Sequence, residues 1–132
     1  FKVNLDSTEW DQYKEEAFSK GTYYFYGLGW FPDFPDADNY LTPFMRDGGF
    51  YANGYENKEV NDLLDEELAT DDSAVREEAF GKIQDIQAED APVIPLWEGK
   101  QVAAVREGVE GVEKTFDPAF LFRFWLVTKK DS

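Results

Sequence analysis

An acidic and aromatic segment at residues 29–40 holds the side chains with the clearest capacity for chemistry. Three aspartates and four aromatic residues lie within it, directly after an apolar run at residues 23–28. Its two prolines fix φ and remove backbone donors, so regular strand pairing should end here. A rigid loop that follows a strand is a typical binding site, because the scaffold holds its side chains in place.

Several kinds of chemistry are excluded by residue types that the chain lacks. It has no cysteine and no histidine, so Ser-His and Cys-His nucleophile systems cannot form within it. Tetrahedral zinc would need carboxylates alone, and neither a Walker loop nor a dinucleotide-binding loop occurs. The aspartates of residues 33–39 lack the spacing of a calcium loop. We therefore expect no metal site and no cofactor.

Composition narrows the choice of partners. The 132 residues carry a net charge of −15, which argues against nucleic acid and against an anionic membrane surface. Residues 56–90 hold 13 acids and three bases, so most of this charge is expected on the solvated side of two helices. No apolar run is long enough to span a bilayer. The start at Phe1, without Met, predicts a fragment or a processed chain.

The first half of the chain has a strand–helix–strand pattern. Apolar residues alternate at positions 1–5, and a helix is expected at residues 9–18, where Trp10, Tyr13 and Ala17 form one face and Gly21 follows the end. A second strand is expected at residues 22–29. The simplest geometry is a right-handed βαβ unit with parallel strands.

Two capped helices dominate the second half. Asn57 is the expected cap of a helix at residues 58–69, whose apolar stripe is Val60, Leu63, Leu64 and Leu68. A start signal at residues 71–73 opens a second helix, with the stripe Val75, Ala79, Ile83 and Ile86, that Pro92 must end. Residues 38–45 predict a short helical turn and residues 46–56 an irregular segment. Further strands are expected at residues 93–97, 101–105 and 120–127.

These motifs together resemble a known family. Gly29-Trp30-x-x-Asp33 and the Pro-Asp-Ala-Asp-Asn-Tyr after it are similar to family 5 extracellular solute-binding proteins, which serve peptide and nickel ABC importers. The resemblance continues in Asn57-x-Glu59-Val60-Asn61-x-Leu63-Leu64, Arg76, Ile83-Gln84 to Ala91-Pro92-x-Ile94-Pro95-Leu96, Gly111-Val112-Glu113 and Phe122-Arg123-Phe124-Trp125.

The resemblance implies a fold and a place within it. We expect an α/β fold, part of a periplasmic-binding-protein-like type II lobe with a mixed sheet flanked by helices. Residues 1–98 would form the C-terminal part of the second ligand-binding lobe, and residues 99–132 the return crossing toward the first lobe. Intact family members are several times longer than this chain.

The resemblance also implies site residues. The Asp at the position of Asp33 holds the terminal ammonium of a peptide ligand in peptide-binding relatives, and the Trp at the position of Trp30 lines the same pocket. Phe31 and Phe34 are further candidates for ligand contact. Members that take sugars or metal complexes keep similar sequence around this Asp, so the ligand class stays open.

The implied function is substrate binding for an ABC importer, with this chain carrying one wall of a peptide-binding cleft and doing no catalysis. The implied partners are a small peptide or similar ligand and an ABC permease. The implied location is outside the cytoplasm, either at the cell surface as a lipoprotein or in the periplasm. Residues 101–132 are expected to self-associate when their partner lobe is missing. Two alternatives stay open: a stand-alone acidic α/β interaction module, and a carboxylate-dependent hydrolase.

Overall fold

Helices make up most of the regular structure. The computed structural model describes residues 2–5, 7–51, 53–117, 119 and 121–130. Its helices are α1 (Trp10–Lys14), which continues as a π-helical turn at Glu15–Ser19, then α2 (Thr42–Met45), α3 (Lys58–Leu68) and α4 (Ser73–Asp90). Short 3₁₀ helices span Ala37–Tyr40, Val112–Thr115 and Phe124–Leu126, and the strands are β1 (Val109–Glu110) and β2 (Thr128–Lys129).

Local signals define the ends of α3 and α4. The Asn57 side-chain oxygen accepts hydrogen bonds from the backbone N–H groups of Glu59 and Val60, and Asp72 caps α4 in the same way. These bonds satisfy donors that a helix start leaves unpaired. Helix α4 ends where Ala91 takes a left-handed conformation, one residue before Pro92. Both predicted helices and both predicted starts are confirmed.

The main apolar core lies between α3 and α4. Its buried members are Met45, Val60, Leu63, Leu64, Ala79 and Ile83. The predicted stripe of α3 is wrong at its last member, because Leu68 is 58% exposed whereas Glu67 is completely buried. Glu67 turns inward because Arg76 of α4 donates to its carboxylate, at 2.9 Å.

A second core is aromatic. Ala17, Phe18 and Tyr51 are buried in it, and Trp30 and Phe44 pack against it. Phe44 connects the two cores, since it also packs against the α3–α4 core. The predicted helix at residues 9–18 is confirmed, with Gly21 at positive φ after its end.

None of the predicted strands forms among the described residues. Residues 2–5 and 22–29 form no strand, and Leu5 is 97% exposed, while Phe1 lies outside the described residues. The βαβ unit is therefore absent from the described part of the chain. Residues 93–97 and 101–105 also form no strand, nor do the described residues of the segment 120–127.

The sheet that does form is small and antiparallel. Val109 pairs with Lys129 and Glu110 with Thr128. Gly111 permits this pairing: its φ is +85°, and an added Cβ would lie 2.1 Å from the Leu126 carbonyl oxygen. Helices with a small sheet are compatible with the predicted α/β class, but the mixed sheet expected from the other segments does not form among the described residues.

Candidate functional site

Asn39 closes the acidic and aromatic loop. Its side-chain oxygen accepts a hydrogen bond from the Asp33 backbone N–H at 2.8 Å, and its backbone carbonyl accepts from the Trp30 indole N–H at 2.7 Å. Asn39 is buried and belongs to the 3₁₀ helix at Ala37–Tyr40. The two predicted site residues Trp30 and Asp33 are thus fixed by one residue. Sequence reasoning did not single out Asn39, because its position alone does not say which donors it meets.

Trp30 joins the loop to the aromatic core. Its ring meets Phe44 edge-on at a centroid distance of 5.4 Å and Tyr51 at 5.7 Å. The side chain is half-buried, so part of the indole remains accessible. Edge-to-face packing of this kind stabilises one ring orientation. Trp30 therefore packs on the aromatic core and also keeps an accessible surface.

The Asp33 carboxylate is exposed beside the aromatic core. Burial raises the pKa of the Tyr51 hydroxyl far above its usual value, and electrostatic interactions with Tyr26 and Asp33 add to that rise. The loop that carries Asp33 contacts this core through Trp30, whose ring packs on Tyr51. An anion at the edge of a group of aromatic rings is an arrangement that favours a cationic ligand, since ring faces are also attractive to cations.

Phe31 and Phe34 present apolar surface on the same loop. Phe31 is 63% exposed and Phe34 46% exposed. The loop thus combines a carboxylate with accessible aromatic surface.

Arg76 of α4 ties this loop to the helical pair. Its guanidinium donates to Asp36 Oδ1 at 2.6 Å and to Glu67 Oε2 at 2.9 Å. Asp36 also caps the 3₁₀ helix by accepting from the Asp38 backbone N–H, which confirms it as a turn and cap residue. The Arg76 guanidinium, followed by this backbone N–H, holds the pKa of Asp36 below its usual value. Asp36 therefore has a structural role in this loop, whereas the Asp33 carboxylate is exposed.

An open groove lies beside the loop without including the predicted site residues. It has a volume of about 830 Å³ and lies between the 3₁₀ helix at Ala37–Tyr40 and α4, with Tyr40, Leu41, Arg76, Phe80 and Gln84 among its lining residues. Among the described residues, no group of three or more acidic side chains is arranged to hold a metal ion. The roles of Asp33 and Trp30 in ligand contact stay predictions.

Comparison with known proteins gives two similar peptide-binding proteins, both from Bacillus subtilis. The oligopeptide-binding protein OppA is 32% identical over 111 residues, which cover 83% of this chain and 20% of OppA. The dipeptide-binding protein DppE is 24% identical over 110 residues, again 83% of this chain and 20% of the relative. This chain is similar in sequence to one fifth of each of these two binding proteins. The resemblance inferred from the motifs is thereby confirmed.

The relatives are much longer than this chain. The chain spans about one fifth of the length of the curated relatives it matches. No family model and no solved structure matches it. Within the part of the chain that the structure describes, no helix is long and apolar enough to cross a membrane.

Proposed function

We propose that this chain is part of the substrate-binding component of an ABC importer and carries one wall of a peptide-binding cleft. The observation that carries the proposal is the similarity to OppA and DppE over 83% of the chain. In this proposal the chain does no catalysis. It contributes recognition, and its permease and ATPase are separate proteins.

The proposed anchor is the exposed carboxylate of Asp33. The loop geometry supports this role, because Asn39 fixes the Asp33 backbone while leaving the carboxylate in solvent. A terminal ammonium of a peptide would form a charge-assisted hydrogen bond with it. Such a bond contributes about 1.5–3 kcal/mol. A loop held before the ligand arrives also has less conformational entropy to lose on binding.

Aromatic surface would contact the rest of the ligand. The accessible part of Trp30 would stack on a ligand side chain or face the ammonium, and Phe31 and Phe34 would provide apolar contacts. Selection among ligands would then depend on aromatic rings that a single loop carries. A peptide is the ligand class that best matches one anion surrounded by such surface.

The intact protein is proposed to have two α/β lobes that close around the ligand. Residues 1–98 would belong to the second ligand-binding lobe, of the periplasmic-binding-protein-like type II, and residues 99–132 to the return crossing toward the first. Ligand bound between the lobes would stabilise the closed form, which the permease recognises. The proposed location is outside the cytoplasm, on a lipid anchor or in the periplasm. Because the chain carries only one wall, we expect it to bind peptides weakly or not at all by itself.

Ligand-dependent thermal shifts of the intact protein test this proposal. The panel contains dipeptides, oligopeptides, sugars and nickel complexes, measured on the wild type, Asp33→Asn and the control Asp47→Asn, an exposed Asp outside the loop. We expect stabilisation by peptides only. Affinity by calorimetry should fall about 10- to 100-fold in Asp33→Asn and stay unchanged in the control.

N-acetylated peptides identify the group that Asp33 contacts. If the carboxylate holds the ammonium, acetylation should weaken binding to the wild type and have little further effect on Asp33→Asn. A shift with sugars or metal complexes that the substitution does not alter would reject Asp33 as the anchor. Stabilisation by no member of the panel would contradict the importer function.

A further inference from the structure

Glu67 is a completely buried carboxylate with one oxygen left over. Arg76 donates to its Oε2 atom at 2.9 Å. Among the described residues, its Oε1 atom has no hydrogen-bond partner although it is shielded from solvent. Buried polar atoms are nearly always paired, and an unpaired carboxylate oxygen costs free energy. Whether Glu67 is protonated therefore decides whether this oxygen can donate a hydrogen bond.

The carboxylate of Asp38 is also buried and interacts with that of Glu67. Asp38, in the 3₁₀ helix at Ala37–Tyr40, is 8% exposed and accepts a hydrogen bond from the Thr42 hydroxyl. Burial is the main cause that raises the pKa of Glu67, and the neighbouring Asp38 adds to the rise while Arg76 opposes it. Glu67 thus interacts with one acidic group, Asp38, and with one cation, Arg76.

The charges around Arg76 do not balance if every acid is ionised. Its guanidinium is shared between Glu67 and Asp36, with Nη2 bonded to Asp36 Oδ1 at 2.6 Å. With every acid ionised, Asp36 and Glu67 would share this one cation, and Asp38 would add a third negative charge next to Glu67. Two carboxylates that share a buried site cannot both ionise without a large cost, so one retains a proton.

We propose that Glu67 and Asp38 share one proton at neutral pH, carried on Glu67 Oε1. A protonated carboxyl is a donor, so its O–H can donate to the Asp38 carboxylate and pair the oxygen that is otherwise unpaired. Oε2 continues to accept from Arg76. The shared proton then joins α3 to the 3₁₀ helix, while Arg76 joins α4 to both.

The position of this proton links it to the neighbouring loop. Asp38 directly precedes Asn39, whose side chain and carbonyl hold the Asp33 backbone and the Trp30 indole. Loss of the proton would set two buried anions against each other at the base of that loop. The proposal depends only on the buried cluster and holds whatever ligand the loop binds.

The infrared C=O stretch of a protonated carboxyl tests it directly. Spectra of the chain between pH 5 and 8 should contain this band in the wild type and lose it in Glu67→Gln and in Asp38→Asn. The control Glu66→Gln changes an exposed carboxyl on the same helix and should retain the band. Absence of the band in the wild type at pH 6 would overturn the proposal.

Urea unfolding as a function of pH gives an independent test. The folded state keeps a proton that the unfolded Glu67 loses above its ordinary pKa, so the contribution of Glu67 to stability falls as pH rises through that range. Gln at position 67 cannot titrate and its amide can still donate to Asp38. The folding constant of Glu67→Gln relative to the wild type should rise by up to about tenfold per pH unit, and then level off above the folded-state pKa. Parallel pH profiles for the two proteins would overturn the proposal.

Discussion

Two regions of the chain differ in how they pair their backbone groups and bury their apolar side chains: the helical pair α3 and α4, and the segment at residues 93–105. The helical pair satisfies its own backbone groups, caps its starts with Asn57 and Asp72, and buries its apolar side chains. Residues 93–105 form no regular element and leave apolar side chains such as Leu96 and Val102 exposed. A helix makes its hydrogen bonds within one segment, whereas a strand needs a neighbour. Stability should therefore be concentrated in the helical pair.

The largest expected effect is a cavity in the helical core. Leu64 is fully buried between α3 and α4, so Leu64→Ala should lower the free energy of unfolding by about 2–5 kcal/mol in urea titrations. Leu68→Ala removes the same atoms from the same helix at an exposed position. We expect the control to change stability by less than about 0.5 kcal/mol. Equal losses in the two variants would mean that the core does not lie where we place it.

The contrast between Leu64 and Leu68 shows what sequence could and could not predict. Periodicity and caps predicted both helices, because those signals lie within a few residues of each other. Periodicity failed at Glu67, because its inward position depends on Arg76, which in turn reaches Asp36 forty residues earlier. No local pattern carries that information.

The same division applies to strands and to the candidate site. Apolar runs predicted strands at residues 22–29, 93–97 and 101–105, but an apolar run does not supply the neighbour that a strand needs. At the site, the sequence predicted an acidic and aromatic loop, and the roles of Asp33, Trp30, Phe31 and Phe34 stay predictions. The closure by Asn39 was missed because it joins residues only after the loop has folded.

The next largest effect concerns the ion pairs that tie the loop to the helical pair. Arg76→Met removes the cation that Glu67 and Asp36 share, and the buried Glu67 oxygen it leaves unpaired costs about 1–3 kcal/mol. Urea unfolding should show this loss. Lys82→Met, on the same helix, breaks an exposed pair with Glu78 and should leave the midpoint unchanged. Equal midpoints for the two variants would show that Arg76 does not connect the two regions.

A smaller effect is expected at the start of α4. Asp72 accepts hydrogen bonds from the backbone N–H groups of Ala74 and Val75, so Asp72→Ala should lower stability by about 1 kcal/mol. Asp71→Ala removes the same charge from the adjacent position without removing the cap. Thermal unfolding of the two variants separates capping from charge. A larger loss in Asp71→Ala would contradict the assignment of the cap.

The smallest effect on stability should accompany changes in residues 93–105. Leu96→Ser and Val102→Ser alter exposed side chains, so the free energy of unfolding should change by less than about 0.5 kcal/mol. The same substitutions should weaken self-association in sedimentation experiments at high concentration, because exposed apolar side chains favour contacts with other chains. Lys100→Ser, a polar change in the same segment, is the control and should retain the association. A strictly monomeric wild type would contradict the expected self-association. A large loss of stability in Leu96→Ser would mean that this segment is packed as firmly as the helical pair.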